Sequence, residues 1–175
     1  MAIYTRLGDT GDTVTLEGEK VNKDNPLIEA QGQIDELNAI LGMAISFSED
    51  EKITTSFRKI QKELFILGAE LSAEKSRKRI NLKHVEDIES LIDETESELP
   101  TLANFVLPGG CKTASLLHYA RTVCRRCERR LVPLYKENQI DETALTYLNR
   151  LGDLLFTMAR YANRKKRVDE IIWKG

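Results

Sequence analysis

From the end of its first twenty-five residues onward, this chain repeats its apolar side chains at spacings of three and four and almost never alternates them. That period belongs to helices burying one stripe each, and it leaves little room for a sheet after residue 20. Ile28, Ile34, Leu37, Ile40, Leu41 and Ala44 mark a first helix. It opens on Asp24 or Asn25 as a cap with Pro26 in its first turn, where a missing N–H costs nothing, and ends near Ser46. Ile53, Phe57, Ile60, Leu64, Leu67 and Leu71 mark a second, from about Glu51 to Ala73. A charged connection, SAEKSRKRINLKH, leads to a third over Leu82–Glu98, with Val85, Ile88, Leu91 and Ile92 inward and Pro100 as its stop. Pro108, Gly109 and Gly110 form a turn ahead of a fourth, which Pro133 is expected to kink or end. A fifth spans Asp141–Lys165 and buries Leu145, Leu148, Leu151, Leu155 and Met158. The fold class predicted is all-α, a helical bundle in one domain over residues 1–175, long enough to bury a substantial core.

Residues 1–25 differ. IYTRLGDTGDTVTLEGEKVNKDNP is rich in Gly, Thr and Asp and short of apolar side chains, so an irregular arm is expected. TRLGDTGDT offers small residues, hydroxyls and backbone N–H groups, the ingredients of a nest around phosphate oxygens, and equally those of a plain terminus. The Walker spacing G-x-x-x-x-G-K-[ST] is absent and no strand–loop–helix context surrounds the arm, which counts against a P-loop reading. Lys23, just before the first helix, is placed to reach a phosphate held by the arm.

The fourth helix carries Arg121, Arg125, Arg126, Arg129 and Arg130 within ten residues. Arg121, Arg125 and Arg129 recur every fourth residue, roughly 6 Å apart on one side, a spacing suited to successive phosphates. Like charges so placed destabilise a helix, so acidic partners or an anionic ligand should compensate them. Arginine's planar, permanently charged fork suits phosphate or carboxylate oxygens. A solvated or salt-bridged surface is the plainer reading of the same residues. On the first helix Asp35 and Asn38 lie three apart beside Glu36, next to an apolar face where polar groups need partners. Asp35 paired with a helix arginine would satisfy both, as a structural pair or as a device that orients the arginine. Asn149 and Asp153 share one side of the last helix, and could cap, bridge or face solvent.

With 26 basic and 28 acidic side chains, the chain has no global field to draw nucleic acid or an anionic membrane, and few aromatics to stack bases. No apolar run approaches the ~20 residues that span a bilayer, and MAIYTRLGD lacks the order of a secretion or transit signal. A soluble, cytoplasmic protein with no membrane partner is expected. Three cysteines, Cys111, Cys124 and Cys127, argue against a disulfide framework. The C-x-x-C of Cys124 and Cys127 falls mid-helix, away from a helix N-terminus, and no zinc-ligand spacing accompanies it, so these read as small buried hydrophobes. No Ser-His-Asp or paired-carboxylate arrangement appears. A noncatalytic helical oligomer, its arginines locking subunits together, is the rival to a ligand-binding enzyme.

Five segments in order, IYTRLGDTGDT, GEKVNKDNPLIEAQGQIDELNAILG, FVLPGG, ARTVCRRCERR and YLNRLGDLLFTMARYAN, resemble the cobalamin adenosyltransferases of the propanediol-utilisation type. The resemblance covers most of the chain. It implies a five-helix bundle assembled as a homotrimer, with an active site at each subunit interface, where the adenosyl group of ATP passes to cob(I)alamin and triphosphate leaves. It implies that Thr5, Arg6, Gly8, Thr13 and Lys23, in an ATP-binding arm over residues 1–25, wrap the phosphates from one subunit. Arg125, Arg129 and Asn149 would meet them from the neighbour, and Glu128 would orient the arginines or hold Mg²⁺. Leu7, Val14, Asn38, Arg126, Cys127 and Phe156 complete the binding surface it suggests, Phe156 together with Trp173 as candidates for the corrin wall. Asp35 matches an aspartate that pairs with the residue corresponding to Arg125 near the corrin. Phe105 matches an aromatic that displaces the lower nitrogen ligand of cobalt, easing reduction of cob(II)alamin. Co(I) would then be the nucleophile, and neither His84 nor His118 falls in a matched segment. A reductase or an adenosylcobalamin-dependent client enzyme is the further partner implied. Leu7, Lys20, Gln31 and Gly152 depart from the family's usual threonine, arginine, aromatic and serine.

Overall fold

Local chemistry starts each helix where the caps lie. In the computed structural model, which describes residues 4, 6, 8–72, 79–137 and 139–174, α1 (Pro26–Ser46) is capped by Asn25, whose side chain accepts from the Leu27 N–H at 2.9 Å. Asp50 does the same for α2 (Glu51–Ser72), accepting from the Ile53 N–H at 3.0 Å. At α3 (Leu82–Ser97) Asn81 accepts from the His84 N–H, while His84 Nδ1 accepts from the Asn81 N–H at 3.1 Å. This reciprocal cap gives His84 a structural role.

α4 (Lys112–Lys136) does not end at Pro133, one of the two outcomes expected there. The ring removes only the N–H that would reach the Arg129 carbonyl, and the helix closes a few residues later with the Glu137 N–H on the Pro133 carbonyl at 3.1 Å. α5 (Glu142–Lys165) follows Asp141.

A second departure concerns the arm, which is not irregular throughout. Asp12–Val14 (β1) and Lys20–Asn22 (β2) pair antiparallel, with Thr13 opposite Val21. Between them the Gly18 N–H reaches the Thr15 carbonyl at 3.0 Å, the Thr15 N–H reaches Glu19 at 2.9 Å, and Gly18 sits at φ 85°. A tight connection with a left-handed glycine is a common hairpin closure. Turn chemistry, rather than a buried face, holds these strands, which is why alternation of apolar residues gave no sign of them.

In the bundle α1 lies between α2 and α4, α4 between α1 and α5, and α5 between α4 and α3. α2 and α3 meet on the remaining side, where Lys59 reaches Asp87 at 2.6 Å and Lys52 reaches Glu94 at 2.9 Å. Phe57, Leu64, Leu117, Leu131, Leu148 and Leu155 are fully buried between these layers. The buried Tyr147 hydroxyl donates to Glu63 Oε2 at 2.8 Å, and burial pushes its pKa well above the ordinary tyrosine value, keeping it a donor. Cys124 and Cys127 are buried as expected, and all three cysteines are free. Burial raises both thiols, Cys127 to about 12, so neither is a thiolate nucleophile. No helix among the described residues is long and apolar enough to cross a membrane.

Candidate functional site

The arginines of α4 divide into two sets according to what faces them. Arg126 turns toward α1, donating from Nε to Gln33 at 2.5 Å and pairing with Glu36, and Arg130 lies 3.8 Å from Glu29 on the same helix. Arg121 lies over the Phe156 ring, 5.5 Å from its centre. Arg125 and Arg129 are exposed and have no hydrogen bond or ion pair among the described residues. The carboxylates of α1 that meet the arginine helix within one chain are therefore Glu36 and Glu29; Asp35 is exposed and makes no such pair.

Beside the unpaired set, Glu128 Oε1 accepts from Asn149 Nδ2 at 3.1 Å. Asn149 is in turn held by Arg150, which donates to its Oδ1 at 3.0 Å and from Nε to Glu89 on α3 at 2.7 Å. This relay from α3 through α5 to α4 fixes the Asn149 carboxamide while leaving it exposed. Arg150 is absent from the sequence-based site. Its adjacency to Asn149 in YLNRLGD was the one signal available, and a side chain's reach toward another helix is not written in spacing. Cys127 belongs to the core, so only its backbone could face a ligand.

In the arm, Lys23 closes a loop. Its Nζ donates to the Gly8 carbonyl at 2.7 Å, and its backbone N–H to Gly11 at 2.9 Å. A Cβ on Gly8 would lie 3.0 Å from Lys23 Nζ, so the ammonium packs closely against the glycine. Arg6 adopts a left-handed backbone at φ 61°, Thr13 is half-buried on β1, and Val14 beside it is exposed. Thr5 and Leu7 lie outside the described residues. No hydrogen bond or ion pair joins the described arm to Arg125 or Arg129; the hairpin instead borders the groove shared by α1 and the end of α2.

Asp35 and Asn38 line a cleft of about 270 Å³ between α1 and α2, with Leu16 from the hairpin, Gln31 and Phe65. Asn38 exchanges hydrogen bonds with Gln61, its Nδ2 donating at 3.2 Å and its carbonyl accepting at 3.1 Å. Its Oδ1 is buried with no hydrogen-bond partner among the described residues. Gln31 donates to the Gly68 carbonyl at 3.0 Å and to the Ser72 hydroxyl, so this departure from the family pattern braces α1 against α2.

Phe105 stands 80 % exposed, its ring edge-on to Trp173 with centroids 6.3 Å apart. Phe156 lies elsewhere, against His118 at 6.0 Å and under Arg121. Among the described residues no ring contact joins Phe156 to Phe105 or Trp173. One chain thus offers several partial surfaces for a ligand: exposed guanidinium groups, a lysine-closed glycine loop, a cleft bordered by Asp35, and an exposed aromatic pair. The geometry suits a large, part-anionic, part-apolar ligand better than a small one.

Comparison with known proteins agrees. The family model described as cobalamin adenosyltransferase matches residues 3–162. The corrinoid adenosyltransferase of Bacillus subtilis is 42% identical over 177 residues, covering 98% of this chain and 91% of that protein. The corrinoid adenosyltransferase PduO of Salmonella typhimurium is 41% identical over 165 residues, covering 91% of this chain, which spans only 49% of that longer protein. A solved variant of a PduO-type ATP:corrinoid adenosyltransferase from Lactobacillus reuteri, complexed with cobalamin and ATP, superposes with a TM-score of 0.94 at 32% identity, covering 99% of this chain and 100% of that one.

Proposed function

Since this chain belongs to the cobalamin adenosyltransferase family, we propose that it moves the 5′-deoxyadenosyl group of ATP to the cobalt of cob(I)alamin, releasing triphosphate and forming adenosylcobalamin. The observation that carries this reading is the pair Arg125 and Arg129, exposed and unpaired beside the oriented Asn149, on a helix whose other arginines already have partners. Cobalt(I) attacks the 5′ carbon of the ribose, the carbon–oxygen bond breaks, and the electron pair leaves with triphosphate. No side-chain nucleophile or base is needed, and the buried thiols and the capping His84 supply none.

The protein's work is to bind, align and neutralise. Arg125, Arg129 and Asn149 face the triphosphate, whose charge grows as it leaves, and fixed cationic donors there stabilise the transition state more than the ground state. The arm, through Arg6, Gly8, Thr13 and Lys23 with Thr5 and Leu7, closes over the same phosphates from a second copy. A split site of this kind is supported by the lack of any hydrogen bond or ion pair between the described arm residues and the arginine pair, and a homotrimer with three such boundaries satisfies it. Across the boundary Asp35 meets Arg125, neither of which has a hydrogen bond or ion pair among the described residues.

No cluster of His, Cys, Asp or Glu able to cage a metal exists among the described residues. The donor set instead suits Mg²⁺ carried on the triphosphate: Glu128 offers one carboxylate oxygen beyond the one Asn149 engages, and Mg²⁺ is commonly held by one or two carboxylates plus substrate phosphates. Such an ion would neutralise charge on the leaving group. Phe105, exposed at the bundle's end, presents an apolar face that displaces the lower cobalt ligand and keeps water from replacing it. Cleft residues Asn38 and Asp35 border the space for the second substrate. A cytoplasmic setting accords with three free thiols.

The test is optical. Protein mixed with ATP, Mg²⁺ and chemically reduced cobalamin should convert the cob(I)alamin spectrum to that of adenosylcobalamin, with light then cleaving the new cobalt–carbon bond. An unchanged spectrum overturns the enzyme reading and leaves the noncatalytic oligomer.

A further inference from the structure

We propose that Asn163, near the end of α5, is a positioning residue for Phe105, an inference that rests on the reading of Phe105 as the group facing the lower side of cobalt. Phe105 belongs to no helix. Its backbone is held by a short antiparallel bridge between Val106 and Ile172, in which the Leu107 N–H reaches Ile171 at 2.8 Å and the Trp173 N–H reaches Phe105 at 2.9 Å. A pairing this short cannot hold itself in water, so its placement depends on what anchors its two roots.

Both roots end on Asn163. Its side chain, 2% exposed, donates from Nδ2 to the Gly109 carbonyl at 3.0 Å and accepts at Oδ1 from the Cys111 N–H at 2.9 Å. These bonds clamp the turn that follows Phe105 directly in sequence. The Asn163 carbonyl meanwhile accepts from the Val168 N–H at 2.9 Å, at the start of the tail that supplies Ile172 and Trp173. Gly110 shows how closely the clamp fits: its φ is 111°, and a Cβ there would fall 2.0 Å from Asn163 Oδ1. One turn earlier on α5, Arg160 adds a second anchor, donating to Glu170 in the tail at 3.1 Å and to the Pro100 carbonyl at 3.0 Å.

A carboxamide meets both demands of the turn with adjacent atoms, a donor for one carbonyl and an acceptor for one N–H. Asn163→Asp keeps the acceptor and sets a second oxygen against the Gly109 carbonyl; Asn163→Ala loses both bonds. Either change should let the Phe105 bridge shift while the arginine surface on α4 stays in place.

The experiment compares two routes and one local probe in Asn163→Ala, Asn163→Asp and Gly110→Ala, with Asn163→Ser, which keeps one bond at most, as the milder variant should the others fold poorly. Hydrogen exchange at the Leu107 and Trp173 amides should rise about tenfold or more while α1 and α2 stay protected. Turnover with pre-reduced cob(I)alamin should fall only a few-fold, whereas turnover from cob(II)alamin with a reductant should fall by about tenfold or more, as misplacement of a group near the reacting centre does. The absorption change that marks loss of the lower ligand from bound cob(II)alamin should weaken with it. Unchanged exchange at Leu107 and Trp173 overturns the positioning role whatever Phe105 does. Raised exchange with both routes slowed equally also overturns it, since the clamp would then be a general structural element. Phe105→Ala, run beside them, separates the premise: if it spares the cob(II)alamin route, the reading of Phe105 fails and this proposal falls with it.

Discussion

Two sides of α4 carry the same residue type and meet opposite fates. Facing α1, Arg126 and Arg130 find Gln33, Glu36 and Glu29, and serve to join two helices. Facing outward, Arg125 and Arg129 have no hydrogen bond or ion pair among the described residues. A few tenths of a kcal/mol of like-charge repulsion per pair is all that the outward set costs a hydrated helix, so it persists without a partner. The contrast teaches that arginine density alone does not mark a binding surface; what marks it is charge left over after the intrachain carboxylates are assigned.

Breaking that contrast starts with the outward side, where the largest effect is expected. Arg125→Ala should lower kcat/KM by about a hundredfold or more, as loss of one transition-state donor does, with the unfolding midpoint of the ligand-free protein unmoved. Mixing that variant with Lys23→Ala, itself impaired, should restore turnover, because a site shared between copies recovers one intact boundary. Failure of the mixture to recover would confine the site to one chain.

A smaller effect is expected on the other side. Arg126→Ala removes the link to Glu36 and Gln33, and should depress the unfolding midpoint more than Arg125→Ala does, while reducing turnover far less. Equal losses of turnover in the two variants, with no difference in stability, would erase the division between the faces.

His118, on a third side of the same helix, sharpens the comparison by pH and should give the smallest effect. Burial first, and the Arg121 charge second, hold its pKa below the ordinary 6.5, with Glu170 opposing them. The unfolded chain therefore takes up a proton near 6.5 that the folded one accepts only at lower pH, and stability falls as pH drops through that window. Melting curves between pH 7.5 and 5 should show a slope that His118→Gln flattens; an unaltered slope would assign the pH response to other groups.

Much of this architecture was readable beforehand, and for one reason. Helix period and capping are local, so Asn25 with Pro26, the apolar runs of α2 and the bounds of α5 could be read residue by residue. The hairpin escaped because a T-L-E-G-E turn, rather than an apolar face, holds it. Pro133 does not end its helix because its cost depends on how near the helix end it falls. Within the site, the arginines, Asn149, Glu128 and Lys23 were legible as residue types in a family pattern. Arg150 and Asn163 were not: polar side chains on a mostly buried helix stand out only once their partners on distant segments are known.

Sequence by itself determined that this chain is helical, that its cysteines are buried or free rather than bridged, and that a dense cationic element follows a glycine turn. Tertiary structure alone decided which arginines were neutralised by α1, that Glu36 rather than Asp35 took that place, and that one asparagine on α5 holds both roots of the Phe105 bridge. The physical reason is range. Backbone conformation answers to neighbours a turn away, whereas hydrogen-bond and ion-pair partners are chosen among groups that only packing brings within about 3 Å.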